Sequence, residues 1–141
     1  MNNLYLFNKN NFKKHIVILD DEIKMCNNFY DKNFLFFCKK LLQNLKIVEF
    51  FKIVIFVFLK RYEKLVFIDN HKEVISYCFF QRKQKKYPFM NKLDIMLGNI
   101  FCDRKFRNQG YAYKTCYYML AKNLNFYDNI YLMCDSKNIP S

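Results

Sequence analysis

Two apolar, strand-like runs, Asp94 to Cys102 and Ile130 to Cys134, flank a helix-like run from Tyr111 to Leu124. A strand, a helix and a strand in that order imply parallel pairing through a right-handed crossover. The first strand reaches the helix through Arg107-Asn108-Gln109-Gly110-Tyr111-Ala112. The first amides of a helix lack intrahelical acceptors, and the helix dipole adds partial positive charge there. A turn of this kind is built to bind phosphate. Gly110 omits a Cβ where backbone would approach a ligand, and Arg107 adds a fixed cation with a fork of donors. The chain has only two glycines, Gly98 and Gly110, and both fall in this unit.

The first strand carries a further signal. Leu93, Ile95 and Leu97 alternate on odd positions, whereas Ile100 and Cys102 alternate on even ones. The parity changes at Gly98-Asn99, as a β-bulge would make it, although Met96 departs from the pattern. Ala112, Cys116, Met119, Leu120 and Asn123 mark one face of the following helix. The run Ile130 to Cys134 has no polar alternation, so it expects cover on both faces.

Upstream, Lys64–Ile68 and Val74–Phe80 read as a hairpin through the polar link Asp69 to Glu73, with His71 at its tip. Leu35, Cys38, Leu41, Leu42, Leu45 and Val48 recur at helical spacing. Ile16–Leu19 has the branching of a buried strand, and Asp20-Asp21-Glu22 would cap a helix after it. Residues 1–14 are rich in Asn and Lys and are expected to be unstructured, with 15–141 forming one domain. Ile47 to Leu59 is the most apolar stretch. A membrane span needs about twenty apolar residues, and this run is shorter and holds Glu49 and Lys52. It reads as a buried core segment or as an insertion, and no membrane partner is expected.

With 141 residues and 52% apolar content, the chain can fill one core. Its net charge is +12 and its pI about 9.4. Such a balance attracts nucleic acid, anionic membranes and acidic cofactors. The abundance of Asn and Lys with no Trp suggests AT-rich coding, so the Lys count weighs little. The densest basic run, Arg82-Lys83-Gln84-Lys85-Lys86, reads first as a solvated loop between strands. No arginine-rich arm, zinc-finger spacing or aromatic RNA-binding signature accompanies it, so nucleic acid is the less favoured partner. None of the six cysteines forms a Cys-x-x-Cys pair, and five lie in apolar runs. That usage and the polar N-terminus fit a reducing compartment, cytoplasmic or nuclear. His15 and His71 lack partners at ligand spacing, so no metal is expected.

Arg107-x-x-Gly110-x-Ala112 at a strand-to-helix turn resembles the pyrophosphate-binding signature of the GNAT family of N-acetyltransferases. Ile100-Phe101-Cys102-Asp103 stands where that family has an apolar strand end followed by Asp, and Phe106 at its aromatic position. Asn138 follows the next strand as an Asn commonly does in the family. The resemblance covers about Lys64 to Ser141. It implies an α/β fold with a mixed, mostly antiparallel sheet flanked by helices, and a C-terminus short of the last helix and strands. It implies acetyl-CoA as co-substrate and a primary amine (peptide N-terminus, lysine or small amine) as acceptor. Arg107, Asn108, Gln109, Gly110, Tyr111 and Ala112 would hold the pyrophosphate, and Ile100, Phe101 and Cys102 the pantetheine arm, with Asn138 beyond them. The bulged strand would splay from its parallel neighbour to admit that arm. Asp94, the nearest acid on the splayed strand, is the candidate base, with a strand-end role as the alternative. Cys102 has no neighbour in sequence that would lower its pKa, so it is not read as a nucleophile. The family's general-acid Tyr would fall beyond Ser141. Two other readings stay open: an inactive acyl-CoA-binding fragment, and a basic nucleic-acid-binding domain.

Overall fold

The computed structural model of the chain describes residues 2–7, 23–44, 46–83 and 87–135. In chain order the elements are β1 (Asn2–Phe7), β2 (Ile23–Cys26), α1 (Lys32–Gln43), α2 (Ile47–Phe58), β3 (Tyr62–Asp69), β4 (Val74–Arg82), β5 (Ile95–Cys102), α3 (Tyr111–Asn123) and β6 (Ile130–Asp135). Short 3-10 turns, Arg104–Phe106 and Leu124–Phe126, precede and follow α3. One six-stranded sheet runs in the order β1-β6-β5-β4-β3-β2. Every neighbouring pair is antiparallel except β5–β6, which is parallel with α3 as its crossover. The architecture is the mixed, mostly antiparallel α/β fold that the sequence leads one to expect.

Alternation along β3 and β4 divides the core in two. Leu65, Phe67, Tyr77 and Phe79 face α1 and α2, where they meet Phe34, Phe37, Leu41 and Ile53. Val66, Cys78 and Phe80 face α3 and meet Met119 and Leu120 together with Ile95, Leu97 and Ile130. The first core is aromatic. The ring of Phe37 lies 5.2 Å from that of Phe67 and 5.3 Å from that of Tyr77.

The hairpin forms as read, with His71 exposed at its tip and φ of 66° there. Asp69 is buried beneath that tip. It accepts the His71 amide at 2.9 Å and pairs with the Lys24 ammonium.

Four upstream readings change. The helix expected after Asp20-Asp21-Glu22 is a strand at Ile23–Cys26, because β3 offers an unpaired edge there. The cap of α1 is Asp31, whose carboxylate accepts the Phe34 amide at 2.9 Å. The helical spacing from Leu35 to Val48 does not mark one helix. Asn44 ends α1, and Ile47–Phe58 is a separate helix rather than an internal core segment. Finally, Asn2–Phe7 pair with β6, from Asn2 opposite Asp135 to Phe7 opposite Ile130, where an unstructured segment was expected. Leu4-Tyr5-Leu6-Phe7 has strand propensity that the Asn content masks. One edge of β6 is therefore paired with β1. Ile16–Leu19, Asp20–Glu22 and Asn138 lie outside the described residues.

The bulge sits where the parity changes. Tyr77 lies opposite Phe101 and Phe79 opposite Gly98, so two steps along β4 span three along β5. Asn99 takes the strain with φ of 50°, a left-handed conformation that favours Gly or Asn. Its side-chain amide donates to the Tyr62 hydroxyl at 2.9 Å. A β-branched side chain tolerates this φ worst, so Asn99→Val should cost about 1–3 kcal/mol. Asn99→Gly should cost less, since it loses one hydrogen bond and relaxes the backbone. Chemical denaturation of both variants checks this; equal losses would place the cost in the hydrogen bond and not in the bulge.

Candidate functional site

The parallel pair β5–β6 is short. Ile95, Met96 and Leu97 lie beside Ile130, Tyr131 and Leu132. Beyond Leu97 the bulge shifts β5, and no further residue of it pairs with β6 among the described residues. Ile100, Phe101 and Cys102 lie on this part of β5 that β6 leaves unpaired. Ile100 is exposed. Phe101 stacks on Tyr77 with centroids 4.9 Å apart. Asp103 then begins the turn that leads to α3.

Sequence dictates the shape of this turn at three points. The Asp103 carboxylate accepts the Lys105 amide at 3.1 Å, which starts the 3-10 turn. Asn108 adopts φ of 62° and Gly110 φ of 79°, so the chain reverses twice through left-handed conformations. Gly110 occupies the N-cap of α3 and offers no side-chain cap to the helix amides. A Cβ placed on Gly110 would meet nothing within 4 Å, so the space in front of the helix is open. Gly98 differs: a Cβ there would approach the Gln81 side chain at 2.9 Å, across the strand pair.

The turn closes on the strand end, where the Cys102 sulfur lies 3.6 Å from the Phe106 carbonyl. Behind them, the Thr115 hydroxyl contacts the Ser76 hydroxyl at 2.9 Å and the Tyr111 carbonyl at 2.7 Å, and the Ser76 hydroxyl donates to the Phe101 carbonyl at 2.8 Å. Two hydroxyl protons serve three contacts, which ties the helix start, β4 and the bulged strand into one unit.

The electrostatics are cationic. Arg107 is exposed, and its Nε donates to the Cys102 carbonyl at 3.2 Å, which points the guanidinium along the turn. Gln109 folds back to the Lys105 carbonyl at 3.4 Å. The Lys114 ammonium sits 5.5 Å from the centre of the Tyr111 ring. Burial pushes the Cys102 thiol up; Arg107 and the Ala112 amide pull it down, and burial wins. The neighbours missing from the sequence reading of Cys102 are thus present, yet the thiol stays protonated and is no nucleophile.

Asp94 lies at the other end. It precedes the paired segment, about 25 Å of strand from Cys102. It is buried, and its two oxygens accept the Asn91 amide at 2.7 Å and the Asn129 side-chain amide at 2.9 Å. Those bonds shape the turn that starts β5, which is the strand-end alternative. Two concavities of about 640 and 550 Å3 also lie at that end, one beside Tyr30 and Tyr62 and one beside Asp94 and Tyr127.

Residues from upstream elements reach this strand end. Lys46, just before α2, pairs with Asp103 at 2.7 Å and sits 4.9 Å from the Phe101 ring centre. Burial raises the Tyr77 hydroxyl pKa, and the charge of Glu49 raises it further. No local pattern pointed to these residues, because 57 positions separate Lys46 from Asp103.

No protein-family model matches the chain, and no curated protein does. Among solved structures, the chain is similar to the crystal structure of a candidate GNAT-family acetyltransferase from Staphylococcus aureus subsp. aureus. The TM-score is 0.44 and the identity 15%, over 77% of this chain and 97% of that one.

The Lys46 ammonium holds the Asp103 carboxyl below its usual range. A depressed folded pKa adds stability that is present above the free value near pH 4 and is lost as pH falls through the folded value. An ion pair this near the surface contributes about 0.5–1 kcal/mol. Lys46→Met should therefore destabilise the chain by about that much at pH 7, with the gap to wild type narrowing toward about pH 2.5. Denaturation at both pH values tests it; a gap of constant size would assign the effect of Lys46 to its contact with Phe101.

Proposed function

We propose that the chain binds acetyl-CoA and transfers its acetyl group to a primary amine: a peptide N-terminus, a lysine or a small amine. The observation that carries this reading is the end of β5–β6 pairing at Leu97, shortly before a cationic turn at a helix start with no side-chain cap. The residues fit the ligand on two counts. Open space faces Gly110, and the amides that begin α3 have no side-chain cap. Asn108, Gln109, Gly110, Tyr111 and Ala112 would hold the pyrophosphate through backbone amides, with Arg107 beside them. Within Ile100, Phe101 and Cys102, the backbone groups of Ile100 and Cys102 would take the pantetheine arm as a substitute strand, while the Phe101 carbonyl stays with Ser76 on β4. Acetyl-CoA supplies the activated thioester for the amine to attack.

A second reading is acyl-CoA binding without turnover. The position of Asp94 favours it, because the one acid of the β5 run is committed at the closed end of the sheet. Turnover separates the two readings; binding separates both from a nucleic-acid role.

Calorimetry with acetyl-CoA is the test. Arg107→Glu should weaken binding about tenfold or more through charge reversal at the phosphates. Gly110→Val should weaken it strongly, since Val resists φ of 79° and would fill the open space. Asp94→Asn should leave the affinity unchanged. Equal affinity of wild type, Arg107→Glu and Gly110→Val would remove the phosphate site from this turn. Thiol release with amine acceptors then reads turnover directly.

A further inference from the structure

The outward face of α2 is apolar. Ile47 is 47% exposed, Val48 77%, Phe51 57%, Ile55 52%, Phe58 81% and, just past the helix, Leu59 55%. At 100° per residue these six share one arc of about 120°. The opposite face is also apolar: Ile53 is buried, with Phe50, Phe56 and Val57 packed against the same core. A helix on the surface of a water-facing domain puts polar residues where α2 puts Phe and Ile. Soluble monomers leave few contiguous apolar patches of this kind open, so this one marks an interaction surface.

Charge selects the occupant. Lys52 follows next on the rim of the arc, and Lys60 and Arg61 stand exposed beyond its C-terminal end. The one acid of α2, Glu49, is half-buried and acts on Tyr77. An antiparallel two-fold contact with a second copy would set Lys52, at the middle of α2, against its own counterpart. An anionic lipid surface complements Lys52, Lys60 and Arg61 while taking up the aromatic and aliphatic side chains. No helix of the described residues is long and apolar enough to cross a membrane, so α2 would lie along one.

We propose that α2 docks the protein on an anionic membrane surface, with Phe51 and Phe58 entering the headgroup boundary and Lys52, Lys60 and Arg61 engaging lipid phosphates and carboxylates. This goes beyond the acetyl-CoA reading and stands without it.

Flotation of the full chain with vesicles tests it, using phosphatidylcholine alone and phosphatidylcholine with about a third phosphatidylserine. Wild type should float with the anionic vesicles and weakly or not at all with the neutral ones. Phe51→Ser with Phe58→Ser keeps the net charge and should abolish flotation. Lys52→Glu with Lys60→Glu should lower binding at least about tenfold. All four positions are exposed, and unchanged circular dichroism and melting would confirm folded variants. Absence of wild-type binding to the anionic vesicles overturns the proposal. Undiminished binding by the Phe51→Ser, Phe58→Ser chain overturns it too, since attraction would then be general to the net charge. A wild-type dimer in sedimentation, split by those two substitutions, would give the face to a second copy instead.

Discussion

The extra residue that β5 inserts at Asn99 determines everything at the C-terminal end of the sheet. It shifts the register against β4, so Phe101 comes to lie on Tyr77 and Cys102 against the start of α3. Pairing of β5 with β6 ends after three residues, Ile95 to Leu97, among those described. Without the bulge, the register against β4 would run on unshifted and the pairing with β6 could continue to the turn. The strain of φ of 50° is held in place by the Asn99 bond to Tyr62 and by the Ser76–Thr115 contacts behind the strand. Such local strain persists only where its surroundings over-determine it.

What could be read from the sequence was local. The parity change at Gly98-Asn99, the helix from Tyr111 and the strand from Ile130 all rest on neighbours within a few residues, and the structure places each where the pattern put it. Long-range pairing was not legible. Ile23–Cys26 and Asn2–Phe7 become strands because β3 and β6 have edges to offer, and no local pattern records an edge. Ile47 to Leu59, read as a buried core segment or an insertion, was ambiguous for another reason. An apolar run without alternation does not show which of its faces packs until the fold decides.

The candidate site divides in the same way. Arg107 to Ala112 could be found because a turn signature is contiguous. Lys46, Tyr62 and Tyr77 could not, because only the folded sheet brings them to Asn99, Phe101 and Asp103. Asp94 shows the converse. It lies on the right strand at the wrong end, and its buried hydrogen bonds to Asn91 and Asn129 give it a turn to hold. Position along a strand, more than membership of it, determines whether a side chain can reach a site at one end.

The central claim is that the unpaired end of β5 and the helix start with no side-chain cap receive one ligand together. Amide hydrogen exchange with and without acetyl-CoA measures this most directly. The account predicts added protection at Ile100–Cys102 and at Gly110–Tyr113 in the same titration, with Ile95–Leu97 unchanged because they are already paired. Protection confined to the concavities beside Tyr30 or Asp94, or none at saturating ligand, would contradict it.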